Sequence, residues 1–451
     1  MTARQAPRKR GEGAETGAGS HGHDDPEMPS PVVGPSRPRL FRVLGPGLIT
    51  GASDDDPSGI ATYSQAGAQF AYGLSWTLLV TYPLMVAVQM ISARIGRTTG
   101  HGLAGVIRLH CPSWLLSSVV LLLLGANIIN LGADLGAMAD ALGLLLPAPH
   151  ALYVLLFSAI SISMQLFLQY TRYVAALKWL TLALFAYFAA LACVDVDWGA
   201  LALHLVWPPQ ALTSDYLTAL VAILGTTISP YLFFWQASEE AEDLRVYPRR
   251  VDLVDAPSQG RRALRRIEID TLVGMGFSNL VALAILVTSA ATLNVHGMTH
   301  IQTSAQAAEA LRPIAGAFAS LVFTVGIVGT GLLAVPVLAG SAAYAVGEAR
   351  QWPTGLERRP KEAQAFYATL VIATLIGMII NFAPVDPIRA LFWSAVLNGV
   401  AAVPVMVVMM RVAARRDVMG QFAIRGPLKW LGWVATVLMG GVVVAMFGAM
   451  L

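Results

Sequence analysis

The sequence predicts an all-α polytopic membrane protein, and two observations lead to this fold class. Of the 451 residues, 56% are hydrophobic and 13% are charged, whereas soluble domains carry about 25% charged residues. Eleven apolar stretches are also long enough to cross a bilayer, which takes about 20 residues of helix. They lie at residues 41–70, 74–95, 114–142, 150–169, 173–194, 215–238, 269–293, 314–344, 363–383, 387–411 and 427–450.

Composition also limits the partners. Residues 1–38 are rich in Gly, Pro, Ser, Arg and His, which predicts a disordered tail. We also expect no cleavable signal peptide, because none is visible in this stretch. Two cysteines, Cys111 and Cys193, exclude a disulfide framework or a cysteine metal cluster. Because the basic residues fall in loops between apolar spans, we expect no nucleic-acid partner. We expect a lipid bilayer as partner, no cofactor, and a monomeric protein that is not an enzyme.

The basic residues of the loops predict the orientation. They concentrate before the first span and in the even-numbered loops, and the sixth loop is the richest of these. Odd-numbered loops are nearly free of them, apart from Arg312 and Arg389 at the starts of spans. Since cytoplasmic loops carry the excess of Lys and Arg, we expect a cytoplasmic N-terminus and an external C-terminus in a bacterial inner membrane.

The first span is interrupted by three carboxylates and a proline. Its centre, residues 53–59, reads Ser-Asp-Asp-Asp-Pro-Ser-Gly. A carboxylate at the bilayer centre costs on the order of 3 kcal/mol, and Pro57 disfavours helical geometry at Asp56. The broken helix leaves backbone carbonyls unpaired, which persist at membrane depth only beside a cavity or a ligand. Because such oxygens suit a hard divalent cation, we predict Asp56 as the charged ligand and Asp55 as a further candidate.

The sixth span is also broken, where residues 225–230 read Gly-Thr-Thr-Ile-Ser-Pro. The two breaks lie five spans apart, so span 6 runs opposite to span 1. Paired interrupted helices in two antiparallel halves are typical of a transport site at the membrane midplane. Thr226 and Ser229, at i and i+3, are candidate oxygen ligands, or their hydroxyls bond to their own helix backbone. The halves are predicted at residues 39–195 and 196–413, followed by an eleventh helix at 414–451.

A polar stripe follows the third span. Asn127, Asn130 and Asp134 recur at i, i+3 and i+7, on one helical face. The stripe either lines the permeation path or packs helices together, and Asn398 in span 10 is a weaker version of the same pattern. No Cys, His or Met lies at either break. An oxygen-only donor set suits Mg²⁺, Ca²⁺ or Mn²⁺, and a single firm carboxylate fits a partly hydrated ion.

Residues 45–73 resemble the signature of a known family. They read GPGLITGASDDDPSGIATYSQAGAQFAYG. This resembles the first helix of the Nramp (natural resistance-associated macrophage protein) family, in which GPG precedes an Asp-Pro-Gly-Asn break and a QAGAQFGY-like exit. The likeness extends over roughly residues 40–450. It implies the LeuT-like fold of two inverted five-helix repeats plus an eleventh helix, and divalent-metal transport by alternating access.

The metal-binding positions of that family are only partly kept. Asp56 matches the family's Asp and is carried over as a ligand. The family's metal-binding Asn falls on Gly59, and its Ala and soft Met ligand fall on Thr226 and Ser229. These departures resemble the Nramp-related magnesium transporter branch and imply Mg²⁺ or Mn²⁺ as the transported ion.

Two positions that the family links with proton flow also differ. Tyr231 stands where the family has a His, and Ala137 stands where it has an acidic residue. The resemblance therefore implies transport without proton coupling, with Tyr231 near the permeation path. The alternative is a proton-coupled Mn²⁺/Fe²⁺ symporter of the main family type.

Two further functions compete on the same residues. An organic-solute symporter would need a site of low negative charge, which Asp54, Asp55 and Asp56 argue against. An intramembrane aspartyl hydrolase would need Asp56 and Asp134 paired as acid and base, and no water-activating motif accompanies them.

Overall fold

The computed structural model describes residues 50–51, 53–167, 185–207, 213–246, 249–383 and 386–451. These residues are helical with short connections and contain no strand. Eight helical segments among them are long and apolar enough to cross a membrane. The predicted all-α membrane class is therefore confirmed. The predicted disordered tail at residues 1–38 lies outside the described residues, and the repeat boundaries stay a prediction.

The first half of the chain contains seven labelled helices. They are α1 Pro57–Phe70, α2 Ser75–Thr99, α3 Leu103–His110, α4 Ser113–Gly143, α5 His150–Phe167, α6 Phe185–Leu191 and α7 Trp198–Val206. Helices α2, α4 and α5 correspond to the predicted spans 2, 3 and 4. Most of the predicted fifth span lies outside the described residues, and α6 is its described end. Sequence analysis did not predict the short helices α3 and α7.

The second half contains seven more labelled helices, besides three short ones at Ser304–Ala308, Arg312–Ala315 and Arg416–Met419. The seven are α8 Ser214–Thr227, α9 Pro230–Val246, α10 Gly260–Ser289, α11 Ala319–Arg350, α12 Gln364–Ile380, α13 Pro387–Ala413 and α14 Gly426–Met450. Helix α10 begins nine residues before the predicted start of span 7 at residue 269. The reason is that its basic first turns are held against α9, where the Arg266 guanidinium contacts the Glu240 carboxylate at 2.5 Å.

Both predicted breaks are present. Before α1 the chain is helical through Asp54, leaves the helix at Asp55 and Asp56, and resumes at Pro57. In span 6, α8 ends at Thr227 and α9 begins at Pro230. A proline is accepted in the first turn of a helix but lacks the N–H that continuation of the preceding helix would need. Proline thus restarts the helix on the far side of each break.

The broken helices occupy the centre of the molecule. Helix α1 contacts α4, α8, α10 and α13, and α9 packs along α2. The Ser92 hydroxyl donates to the Phe233 carbonyl, and Gly96 lies against Ala237, so α2 and α9 run side by side in the same direction. This packing fixes the start of α9 beside α1.

The contact at Gly96 yields a stability prediction. A Cβ added to Gly96 would meet the backbone of Ala237, whereas one added to Gly125, on the exposed face of α4, meets nothing within 4 Å. Gly96→Ala should destabilise the protein by about 1–3 kcal/mol, the usual cost of overpacking. Gly125→Ala, the matched control, should stay within about 0.5 kcal/mol. Melting temperatures in detergent measure both, and equal values for the two variants would contradict the α2–α9 packing.

Candidate cation site

Asp56 caps the N-terminus of α1 with one carboxylate oxygen. Its backbone is extended (φ −69°, ψ 170°), and its Oδ1 accepts from the Ser58 hydroxyl and the Gly59 N–H, both at 2.7 Å. Capping satisfies donors that the first turn of a helix leaves without a partner. The side chain is buried, and the cap fixes where the carboxylate points.

The other oxygen of Asp56 connects three spans. Oδ2 accepts from the Asn130 amide of α4 at 3.1 Å and lies 3.4 Å from the Tyr231 hydroxyl of α9. Tyr231 also lies 3.1 Å from the Ser53 carbonyl, and its single proton serves one acceptor at a time. The Ser394 hydroxyl of α13 donates to Asn130 Oδ1 at 2.7 Å. Spans 1, 3, 6 and 10 thus converge on one carboxylate.

The space beside Gly59 is lined by oxygens from both breaks. A Cβ built on Gly59 would lie 3.2 Å from Thr226 Oγ1, 3.3 Å from the Asp54 carbonyl oxygen and 3.5 Å from Asp56 Oδ1. A hydroxyl, a carbonyl and a carboxylate therefore converge on Gly59, where even a Cβ would be crowded. Hard divalent cations favour such a mixed oxygen set.

Asp54 and Asp55 share a partner that Asp56 does not use. The Ser278 hydroxyl of α10 lies 2.5 Å from Asp54 Oδ2 and 3.2 Å from Asp55 Oδ1. Asp54 Oδ1 and Asp55 Oδ2 are buried, and neither has a hydrogen-bond partner among the described residues. The structure thus directs Asp55 toward α10, and its role as a ligand stays a prediction.

Ser229 and Asn127 make hydrogen bonds that fit the alternative to a direct site role: Ser229 bonds to its own helix, and Asn127 packs two helices together. The Ser229 hydroxyl donates to the carbonyls of Gly225 at 2.6 Å and Thr226 at 2.9 Å, within its own helix. The Asn127 amide donates to the Leu338 carbonyl at 3.0 Å and the Ser341 hydroxyl at 2.7 Å, which packs α4 on α11. The geometry favours positioning roles for both, and a ligand role for Ser229 stays a prediction.

Asp134 and Asn398 are buried polar groups without hydrogen-bond partners in the described part of the chain. This holds for both carboxylate oxygens of Asp134 and for both amide atoms of Asn398. Asp134 lies one helical turn after Asn130, so it shares the face that reaches Asp56. No basic side chain in the described ranges lies within 4.0 Å of Asp54, Asp55, Asp56 or Asp134. Since buried carboxylates are costly unless they are paired or neutralised, these four groups need either protons or a bound cation.

Sequence analysis missed three polar residues of this region. Ser394 binds Asn130, and its spacing of four from Asn398 was a usable signal. Ser278 binds the carboxylates before α1, but a lone serine in an apolar span carries no signal. Gln89 is buried, with both amide atoms unpartnered among the described residues. The α2–α9 register places it level with Pro230, at the second break.

A polar cavity leads along α1 away from Asp56. It has a volume of about 420 Å³ and includes Gln65 and Gln69 of α1, with Asp215 and Arg389 on its walls. Gln65 holds the segment after α10 to α1, because its amide donates to the Thr299 carbonyl at 3.1 Å and accepts from the Ile301 N–H at 2.8 Å. The cavity is a candidate access route whose mouth this segment borders.

Comparisons with known proteins place the chain among membrane transporters. The family model described as natural resistance-associated macrophage protein-like (Nramp) matches residues 47–449. A protein of Burkholderia ambifaria named divalent metal cation transporter MntH is 28% identical over 417 residues, which cover 89% of this chain and 87% of that protein. Its namesake from Acidiphilium cryptum is 28% identical over 405 residues, 86% of each chain.

Solved structures show the same fold. A crystal structure of the Eremococcus coleocola manganese transporter aligns with TM-score 0.71 and 17% identity, over 94% of this chain and 97% of that one. A closed conformation of Mhp1, a nucleobase-cation-symport-1 family transporter, aligns with TM-score 0.54 and 14% identity, over 94% and 95%. These likenesses confirm the predicted LeuT-like fold.

Proposed function

The chain belongs to the Nramp family, and we propose that it carries a divalent cation, Mg²⁺ or Mn²⁺, across the membrane by alternating access. One observation carries the proposal. The buried Asp56 carboxylate lies beside Gly59, where the Asp54 carbonyl and the Thr226 hydroxyl, each just before one of the two helix breaks, approach the same point. The relatives are named for divalent metals or manganese. The Mg²⁺ part rests on the donor set of this chain.

Oxygen chemistry supports a hard ion. Neither break offers sulfur or imidazole, which softer late transition metals favour. Mg²⁺ sheds water reluctantly and usually binds through one or two carboxylates while it keeps several waters. Gln89 and Asn398 are buried with amides that have no partner among the described residues, and in this proposal they bind such waters.

The Tyr231 hydroxyl can leave the Asp56 carboxylate when an ion binds, because it has a second acceptor. Its hydroxyl lies closer to the Ser53 carbonyl (3.1 Å) than to Asp56 Oδ2 (3.4 Å). We infer that a bound cation takes one lone pair of the Asp56 carboxylate while Tyr231 keeps its bond to Ser53. The cap from Ser58 and Gly59 and the Asn130 amide then hold the carboxylate in place through the transport cycle.

The first prediction concerns the charged ligand. Asp56→Ser removes the carboxylate but keeps a hydroxyl, which is a good helix N-cap. We expect Mn²⁺ and Mg²⁺ affinity to fall at least ~100-fold, equivalent to about 2.7 kcal/mol. Isothermal titration calorimetry on the purified variant measures the change.

Two asparagines of α4 provide the matched controls. Asn130→Ala removes a donor to Asp56 and should weaken ion binding less than Asp56→Ser does. Asn127→Ala removes only the α4–α11 bonds, and should lower the melting temperature without changing affinity. Wild-type affinity in Asp56→Ser would remove Asp56 from the site.

The next prediction concerns coupling. Tyr231 and Ala137 replace the titratable residues of the main family type, so we expect Mn²⁺ or Mg²⁺ uptake into proteoliposomes without acidification of the lumen. A pH-sensitive dye inside the vesicles measures this. Stoichiometric acidification would refute uncoupled transport, and Asp134→Asn would then be the variant expected to abolish the proton flux.

The last prediction of this section concerns selectivity. Gly59→Asn places an amide between Thr226, Asp54 and Asp56, and Thr226→Ala relieves the close approach of 3.2 Å. With Ser229→Met added, the triple variant has less room for retained waters and one sulfur donor. We expect Mg²⁺ affinity to fall at least about tenfold while Cd²⁺ affinity holds or rises. Calorimetry with both ions measures the exchange.

A double variant separates the contributions. Gly59→Asn with Thr226→Ala leaves the Ser229 hydroxyl on its own helix, so it should lose Mg²⁺ without gaining Cd²⁺. If a folded triple variant, checked by its melting temperature, keeps its Mg²⁺ affinity, residues 226 and 229 do not face the ion.

A further inference from the structure

We propose that a phosphate-bearing anion binds in a second cavity, which lies between α3, the end of α9 and the end of α11. The cavity has a volume of about 290 Å³. It is separate from the Asp56 region and shares no lining residue with the cavity along α1. It is lined by Gly100, His101, Gly102, Gly105, Arg108, Arg245, Glu348, Gln351, Trp352 and Thr354.

The charge of the lining favours an anion. Arg108 and Arg245 carry permanent positive charges. Arg108 is half-buried, and its guanidinium has no hydrogen-bond or ion-pair partner among the described residues. Arg245 uses one N–H on the Thr354 carbonyl at 3.1 Å and has further donors to offer.

The single carboxylate of the cavity is already engaged. Glu348 Oε1 accepts from the Ser238 hydroxyl at 3.0 Å, and its Oε2 accepts from the Gly105 N–H at 2.9 Å. Glu348 therefore ties α3, α9 and α11 together. Two guanidinium groups remain to face an incoming anion.

Backbone geometry adds to the attraction. Helix α3 begins at Leu103, and Glu348 already caps its first turn at the Gly105 N–H. The N–H groups of Leu103 and Ala104 remain at this helix start, where the dipole favours negative charge. Guanidinium groups bind phosphate oxygens in pairs of N–H bonds. The cavity is large enough for a phosphate group with waters or a short substituent, and Trp352 lies at its rim.

An anion in this cavity would reinforce the tie made by Glu348. It would bridge Arg108 of α3 and Arg245 of α9, the helix whose first turn carries Tyr231 toward Asp56. Free inorganic phosphate and a lipid phosphate headgroup present the same chemistry. Such an anion would stabilise α9 in its present position. If α9 moves during transport, the anion's contacts with Arg108 or Arg245 must break.

The experiment measures phosphate binding without metal. Purified protein in detergent is titrated with sodium phosphate against sodium chloride at matched ionic strength, and its melting temperature is followed. We expect a saturable rise that is at least about tenfold weaker in Arg108→Gln or Arg245→Gln. Arg416→Gln, an exposed arginine outside the cavity, is the matched control and should bind as the wild type.

A second arm separates the two sources of phosphate. Nanodiscs of neutral phosphatidylcholine are compared with nanodiscs that also contain phosphatidic acid. A rise in melting temperature only with phosphatidic acid, lost in Arg108→Gln, assigns the cavity to a headgroup. A rise in detergent with free phosphate assigns it to a soluble anion. No rise with either probe, or a rise unchanged in both Arg108→Gln and Arg245→Gln, overturns the proposal.

Two further variants keep this test independent. Asp56→Ser should retain phosphate binding, so a failure of the transport proposal leaves this one standing. Arg108→Lys keeps the charge without the paired N–H bonds and should fall between wild type and Arg108→Gln. Each variant's melting temperature without phosphate provides its own baseline for folding.

Discussion

The buried Asp56 carboxylate at the head of α1 is the interaction on which the rest of the site depends. Its position is favourable because an N-terminus attracts negative charge, and the cap and Asn130 hold it there. The helix ends that precede the two breaks are C-termini, which carry the negative end of the helix dipole. The helical chain before the first break ends at Asp54, whose carbonyl oxygen approaches Gly59, and α8 ends at Thr227, one residue after Thr226. In the proposed function, a cation beside Asp56 would meet a carboxylate and the negative ends of two helices.

The breaks could be predicted from sequence because their cause is local. Pro57 and Pro230 each act on the residues beside them, and the cost of Asp56 at membrane depth depends only on the span that contains it. The partners could not be predicted in the same way. Tyr231 and Ser278 contact the acidic segment across long separations, and Ser394 reaches it only through Asn130. Only the packed helices bring these contacts together. Ser229 is the opposite case, because its hydroxyl donates to two carbonyls of its own helix, a bond that the local sequence could predict.

Ion pairs hold part of the sixth loop to the end of span 6. The Arg250 guanidinium lies 2.9 Å from the Asp243 carboxylate, and the Arg266 guanidinium lies 2.5 Å from the Glu240 carboxylate. These two arginines are buried, whereas Arg265 of the same stretch is exposed. The charge count that predicts the orientation could not separate the two kinds of arginine, because their partners come together only when the helices pack.

Helix α9 connects the Asp56 region with the second cavity. It spans 17 residues, or about 25 Å at 1.5 Å per residue. At its start one hydroxyl shifts between Ser53 and Asp56, whereas its far end is fixed by two ion pairs and by the Ser238–Glu348 bond. The Tyr231 hydroxyl has two acceptors within reach, so it can lose one of them without a movement of the helix. A movement of the whole of α9 would instead break the ion pairs and the Ser238–Glu348 bond at its far end. If α9 moves during the proposed transport cycle, the contacts around Glu348 oppose that movement.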